Sequence, residues 1–196
     1  MTPGLPATPS DVVVEPFARH RAQMPLVAQW FIGEWPKWYG LGGSGDVTAD
    51  VQAFAASETA LPVGMLLFEG QRPVGAAALK AESIPSHKHL GPWAAAGYVL
   101  PTHRGRGLGG VLLRAVAAHS RTLGFGHIYC GTSTAQTLLA RAGWEVLEVI
   151  EHAGQPLAIF FSQQELVPGS AGTGRYRGST CRCNAWEIKT APAPGA

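Results

Sequence analysis

Several features that would indicate a particular class of protein are scarce in this chain of 196 residues. Its three cysteines are too few for a disulfide framework, which favours a reducing compartment and a cytoplasmic location. Charged residues make up 14% of the chain and leave a net charge of +2, so we expect no general attraction to nucleic acid or to a membrane surface. No apolar run reaches the roughly 18 residues of a membrane span, and the start lacks the regions of a signal peptide. A cytoplasmic enzyme is the simplest interpretation.

The apolar fraction of 46% is typical of one globular domain with a sizeable core. Prolines among small residues predict a disordered leader at 1–10, and a glycine- and serine-rich composition predicts a low-complexity tail at 164–196. The domain is therefore expected at 11–163. Within it, hydrophobic periodicity predicts the element order β-α-α-β-β-β-α-β-α-β-β, with helices that include 24–38 and 109–123. This order indicates an α/β fold, a mixed sheet with helices on both faces.

A lysine is missing from the glycine-rich segment 103–110, which lies between an apolar run at 93–100 and a predicted helix. No lysine occurs between Lys88 and Lys189, which excludes a Walker loop. The Gly-x-Gly-x-x-Gly pattern at 105–110 is followed by no acidic residue before Glu145, so it is a weak match to a dinucleotide-binding fingerprint. Glycines that adopt positive φ, followed by a helix N-terminus, can direct several backbone N–H groups at one anion. The segment therefore predicts a diphosphate site.

The arginine and glycines of this segment also carry a resemblance. Arg104, Gly107 and Gly109 fit Arg-x-x-Gly-x-Gly, the pyrophosphate loop of the GCN5-related N-acetyltransferases, which the chain resembles from about residue 12 to residue 161. The resemblance implies a mixed sheet of about seven strands with splayed central strands. It also implies acetyl-CoA as co-substrate and a small amine that attacks the thioester directly in a ternary complex. The cofactor-binding residues it implies are Tyr98, Val99, Leu100, Arg104, Gly105, Arg106, Gly107, Leu108, Gly109, Gly110 and Thr132.

A second family signature, Asn-x-x-Ala-x-x-Leu-Tyr with a following Gly-aromatic pair, is matched in part by Ala135, Leu138, Gly143 and Trp144. Thr132 stands in place of the asparagine, and Leu139 stands in place of the tyrosine usually assigned as the acid for the thiolate. By this resemblance, Leu139 is expected to face the thiol. Ser133 ranks first among the substitute donors, ahead of Thr132, Tyr129 and Cys130. We expect Cys130 itself to be a small buried apolar group.

The run at 93–100 offers no carboxylate as a general base. The remaining candidates are Glu34, Asp46, Glu69, Glu82, His87, His89 and His103. Glu34 ranks first, because the family's first helices and their junction wall the acceptor site and Glu34 lies among aromatic residues. Of these aromatics, Trp30 and Trp35 are expected in the core, whereas Trp38 and Tyr39 are expected in a loop that contacts substrate. His87 and His89 alone are too few for a metal site.

Two alternatives to acetylation of a small amine remain at this point. One is a non-catalytic acyl-CoA sensor, which the missing tyrosine favours. The other is an acyltransferase that uses a longer donor or a peptide N-terminus. Either a monomer or a homodimer is compatible with the sequence.

Overall fold

The computed structural model describes residues 12–164. The predicted leader, and the predicted tail beyond Gln164, lie outside the described residues. The strands are β1 (Val12–Pro16), β2 (Val63–Glu69), β3 (Arg72–Lys80), β4 (Trp93–Val99), β5 (His127–Thr132), β6 (Glu145–His152) and β7 (Gln155–Gln163). The helices are α1 (Met24–Glu34), α2 (Pro36–Tyr39), α3 (Val47–Phe54), α4 (Leu108–Thr122) and α5 (Gln136–Arg141).

The seven strands form one mixed sheet in the order β1-β2-β3-β4-β5-β7-β6. Neighbouring strands are antiparallel except β4 and β5, which are parallel. The sheet and its helices confirm the predicted α/β fold. None of the described helices has the length and apolar character needed to cross a membrane.

The first helical segment differs from its prediction, a single helix over 24–38 that Pro36 ends. In the structure α1 ends at Glu34, and Trp35 takes the non-helical φ of −120° and ψ of 60°. A residue before proline is driven out of the helical region by a steric clash with the proline ring. Pro36 then opens α2, since its fixed φ suits the first position of a helix and its missing N–H would have no partner there.

Two hydrophobic clusters cover opposite faces of the sheet. One lies under α4 and α5 and joins residues of β2, β3 and β4 with residues of β5 and β7. The other lies under α1, α2 and α3 and contains residues of β2, β3 and β4. The polyalanine run of β3 suits this arrangement, because small side chains allow a sheet to be closely covered on both faces.

The parallel strands β4 and β5 separate soon after they begin. Across the part of the chain that the structure describes, their pairing is limited to Trp93 and Tyr129. A bulge where Ala96 has φ of 52° also interrupts the pairing of β4 with β3. The C-terminal half of β4 therefore borders an opening in the middle of the sheet, as predicted for splayed central strands.

Candidate active site

A glycine turn connects β4 to α4 at the edge of this opening. Gly105 and Gly107 both have φ of +77°, a conformation that L side chains rarely adopt. A Cβ placed on either glycine would have no atom within 4 Å, so the surface of the turn is open. Gly107 is the residue that precedes α4. The turn therefore exposes its backbone directly at the positive end of a 15-residue helix.

The backbone N–H groups of this turn have few protein partners. Among the described residues, the N–H groups of residues 105–109 make no backbone hydrogen bond. The N–H of Gly110 donates to the carbonyl of Gly107 at 3.0 Å, so the predicted cofactor contact of Gly110 stays a prediction that does not involve this N–H. The side chain of Leu108 is buried in the cluster under α4, so only its backbone is available to a ligand. Five successive N–H groups thus remain for an anion.

Tyr98, Val99 and Leu100 were expected to meet the coenzyme arm, and of these Val99 directs its backbone groups toward the opening. Leu100 donates its N–H to Val74 O at 2.9 Å, and Tyr98 pairs with Ala76 on the same neighbouring strand. Backbone groups of successive strand residues point to opposite sides. The N–H and carbonyl of Val99 therefore point away from β3, toward the gap left by β5.

Arg104 is directed inward, away from the surface of the turn. Its Nε donates to Val99 O at 2.8 Å and its Nη2 donates to Glu34 Oε2 at 2.8 Å. The guanidinium carbon lies 5.6 Å from the centre of the Tyr98 ring, within cation–π range. Its backbone N–H is bonded to Pro101 O at 3.3 Å. With 12% of its side chain exposed, Arg104 is enclosed by these partners.

Arg106 has the opposite character, because 46% of its side chain is exposed. Its Nη2 contacts Glu69 Oε1 at the end of β2, and the other oxygen of Glu69 lies 3.3 Å from His103 Nε2. Glu69 and His103 were candidates for the general base in the sequence. The structure groups both with Arg106 beside the glycine turn, so the turn carries one negative side chain as well as its exposed arginine.

Glu34 lies at the end of α1 and is 9% exposed. Its Oε2 is bound by Arg104, whereas its Oε1 is buried without a hydrogen-bond partner. The indole nitrogens of Trp35 and Trp38 are also buried without a partner. Unsatisfied buried polar atoms are rare in proteins, so three of them within five residues mark the α1–α2 junction. This is the junction where the sequence places the acceptor site.

The predicted substrate contacts Trp38 and Tyr39 are in α2 and not in a loop. Tyr39 donates its hydroxyl to Asp50 Oδ2 at 2.6 Å and stacks on Phe31, with ring centres 6.3 Å apart. Both residues pack against the cluster under α1, α2 and α3, to which Trp30 and Trp35 belong as predicted. The loop prediction was wrong because Pro36, which was expected to end the first helix, instead begins α2 after the break at Trp35.

Thr132 and Ser133 lie where β5 ends. Thr132 is fully buried, and its Oγ1 accepts hydrogen bonds from Thr134 N at 3.2 Å and Ala135 N at 2.8 Å. This hydroxyl thus stabilises the turn that precedes α5. Ser133 is exposed at the same edge of the sheet as the glycine turn, since β4 and β5 are parallel. Its role as a proton donor stays a prediction.

Leu139 does not face an open site, contrary to the expectation from the family signature. It is fully buried in the cluster under α4 and α5, together with Ala135 and Trp144. Leu139 lies in α5, and its side chain is directed into the cluster that this helix covers. Cys130 is fully buried in the same cluster, as expected of a structural thiol.

The two histidines near residue 88 have a structural explanation. His87 is buried and its Nε2 lies 2.9 Å from Glu148 Oε1 on β6. The ring of His89 lies 5.7 Å from the ring of His87. Within residues 12–164, no group of three or more side chains could hold a metal ion.

Comparisons with known proteins agree with this geometry. The model of the acetyltransferase (GNAT) family matches residues 25–144. No curated protein sequence matches the chain. An aminoglycoside 6'-N-acetyltransferase from Enterococcus faecium is 12% identical, with a TM-score of 0.62 over 77% of this chain and 96% of that one. A putative acetyltransferase from Salmonella typhimurium, solved with its cofactor acetyl-CoA, is 16% identical, with a TM-score of 0.58 over 82% and 97%.

A putative N-acetyltransferase from Lactobacillus plantarum is 23% identical, with a TM-score of 0.55 over 78% of this chain and 97% of that one. At these identities the solved structures support the fold, and the family model covers more than half of the chain. Both agree with the resemblance in the sequence and support acetyl-CoA as the co-substrate. The chain belongs to the acetyltransferase (GNAT) family.

Proposed function

We propose that this protein transfers the acetyl group of acetyl-CoA to the amine of a small molecule, by direct attack in a ternary complex. The observation that carries the proposal is the row of five backbone N–H groups at residues 105–109, which make no backbone hydrogen bond among the described residues and lie at a helix N-terminus, with open space above Gly105 and Gly107. Such a row suits a diphosphate, because several N–H dipoles and the helix dipole act on one anion. A cytoplasmic location, expected from the few cysteines, belongs to the same proposal.

The chain's own groups suit acyl transfer beside this turn. The N–H of Val99 points into the gap between β4 and β5, where it can donate to a thioester carbonyl and stabilise the charge that develops on its oxygen. Acetyl-CoA supplies the acetyl thioester as substrate. The buried Oε1 of Glu34 can accept a hydrogen bond from the attacking amine and take up its proton after attack.

The departing thiolate needs little help. Its conjugate thiol has a pKa near that of free cysteine, about 8.5, so the anion is a moderate leaving group in water. We assign Ser133, exposed at the end of β5, as the donor of first choice, since Leu139 is buried. A second candidate function, a non-catalytic acyl-CoA sensor, is favoured by that same burial of Leu139.

The proposed function is tested by coenzyme binding and by thiol release. Calorimetry with coenzyme A is expected to show saturable binding, and acetyl-CoA with a panel of primary amines is expected to release thiol in an amine-dependent way. Binding without thiol release on any amine would favour the sensor. Absence of coenzyme binding would contradict both functions.

A further inference from the structure

The side chain of Arg104 contacts groups that belong to the acceptor side of the site. Its side chain donates hydrogen bonds to two protein acceptors, one on β4 and one on α1, and its backbone N–H is bonded as well. Diphosphate recognition would require this guanidinium to turn toward the surface of the glycine turn. That movement would leave the carboxylate of Glu34 buried without its counter-charge, which is strongly unfavourable.

Arg106, two residues further on, is suited to the diphosphate instead. Its side chain is nearly half exposed and its partner, Glu69, is also in contact with His103. The ion pair is partly exposed, with 46% of Arg106 and 22% of Glu69 accessible, and such a pair is weaker than the enclosed pair of Arg104, so a phosphate oxygen replaces Glu69 more readily than Glu34. The two arginines of the motif are therefore not equivalent in this chain, although their spacing in the sequence suggests a shared role.

The pairing of Arg104 with Glu34 has a consequence for the geometry of the acceptor site. The arginine holds one carboxylate oxygen, so the other oxygen, Oε1, is fixed in position and has no partner among the described residues. The same guanidinium holds the carbonyl of Val99, whose N–H points into the opening of the sheet. One side chain thus sets the position of Glu34 relative to the strand edge where the thioester would lie.

We infer that Arg104 is a positioning residue for the acceptor side of the reaction, orienting Glu34 and the Val99 peptide, and that it does not bind the coenzyme diphosphate. The inference rests on the proposed function for the role of Glu34. It departs from the sequence-based expectation that both arginines of the turn contact the diphosphate.

The experiment compares Arg104→Met with the matched variant Arg106→Met. Calorimetric titration with coenzyme A at low and high potassium chloride measures affinity and its sensitivity to salt. Arg106→Met is expected to weaken binding about tenfold and to reduce the salt sensitivity, because a charged contact with an anion is lost. Arg104→Met is expected to stay within about threefold of the unchanged protein and to keep its salt sensitivity.

The second part of the experiment measures steady-state kinetics with the amine that the unchanged protein acetylates fastest. Arg104→Met is expected to lower kcat/KM for this amine at least tenfold, with the KM for acetyl-CoA nearly unchanged. Arg104→Lys should recover part of the loss, because lysine keeps the charge but cannot make both hydrogen bonds in the same geometry. In a Glu34→Gln background, Arg104→Met should cause a smaller loss than in the unchanged protein, since the part that acts through Glu34 is already absent and only the part that acts through Val99 remains.

The outcomes separate the inference from the proposed function. If Arg104→Met weakens coenzyme A binding and lowers its salt sensitivity as much as Arg106→Met, the inference is wrong while the proposed function stands. Additive losses in the double variant would also overturn it. If the unchanged protein does not bind coenzyme A, the proposed function fails first. If it binds coenzyme A but acetylates no amine, the comparison of the two arginines still decides whether Arg104 contacts the diphosphate.

Discussion

Replacement of Leu139 by alanine tests whether this position belongs to the core or to the site. The side chain is fully buried and packs in the cluster that contains Ala135 and Trp144. Removal of three buried carbon atoms costs the lost transfer free energy and leaves a cavity, so we expect a loss of about 2–5 kcal/mol in the free energy of unfolding. For a domain of this size, a loss near 3 kcal/mol lowers the melting temperature by roughly 6–12 °C.

Urea denaturation followed by far-ultraviolet circular dichroism measures this change. The matched control is Leu147→Ala on the edge strand β6, where 44% of the side chain is exposed and the expected change is within about 0.5 kcal/mol. Leu139→Tyr should also destabilise, by about 1–3 kcal/mol, because a larger side chain must be accommodated in a packed core. A loss below about 1 kcal/mol in Leu139→Ala would refute the reasoning and return this residue to the thiol side of the site.

Three further predictions concern the glycine turn and its surroundings. Gly107→Val should abolish most coenzyme A binding in calorimetry, since a branched side chain at φ of +77° is strained and its Cβ enters the open space of the turn. The control is Gly126→Val, at a position with open space and no positive φ. Equal affinities of the two variants would contradict diphosphate binding by the glycine turn. Glu69→Gln should tighten coenzyme A binding about threefold at low salt, because it removes the repulsion between two negative charges, which is about 0.7 kcal/mol in water at a separation of about 6 Å. Weaker binding would show that Glu69 supports the conformation of the turn. Burial raises the pKa of Tyr98, an effect that Arg104 partly opposes, so its phenol should titrate above the ordinary value near pH 10 in an ultraviolet titration. Because the unfolded chain ionises first, this residue should lower stability as the pH rises from about 10 through the folded-state pKa, and a Tyr98→Phe variant should lack that contribution.

The sequence predicted most of the elements because their signals are local. Hydrophobic periodicity placed the helix predicted at 109–123 within one residue of the observed α4, and it gave the number and order of the seven strands. The break at Trp35 was missed, because α1 and α2 share one apolar pattern and the interruption depends on a single backbone conformation. The glycine turn was predicted from the same local signals, since its positive φ values follow from glycine itself.

The arrangement of side chains in the site was predicted less well. Arg104 and Glu34 are 70 residues apart in the chain, and no local pattern indicates that they meet. The burial of Leu139 depends on how α5 packs on the sheet, beside Ala135 and Trp144, and not on the motif in which the residue occurs. Contacts of this kind arise from tertiary structure, so the sequence identified the candidate residues but not their partners.

Among the described residues, β4 and β5 pair only at Trp93 and Tyr129, and this limited pairing affects how the two halves of the sheet are held together. Four strands, β1 to β4, lie on one side of this pair and three strands, β5 to β7, lie on the other. The angle between these two halves of the sheet is therefore not fixed by a continuous ladder of hydrogen bonds. Both halves contribute side chains to the cluster that packs against Leu112 of α4, including Leu79 of β3 and Phe160 of β7. The width of the opening is therefore a property of core packing, and a change of side-chain volume far from any ligand can alter how well a coenzyme fits.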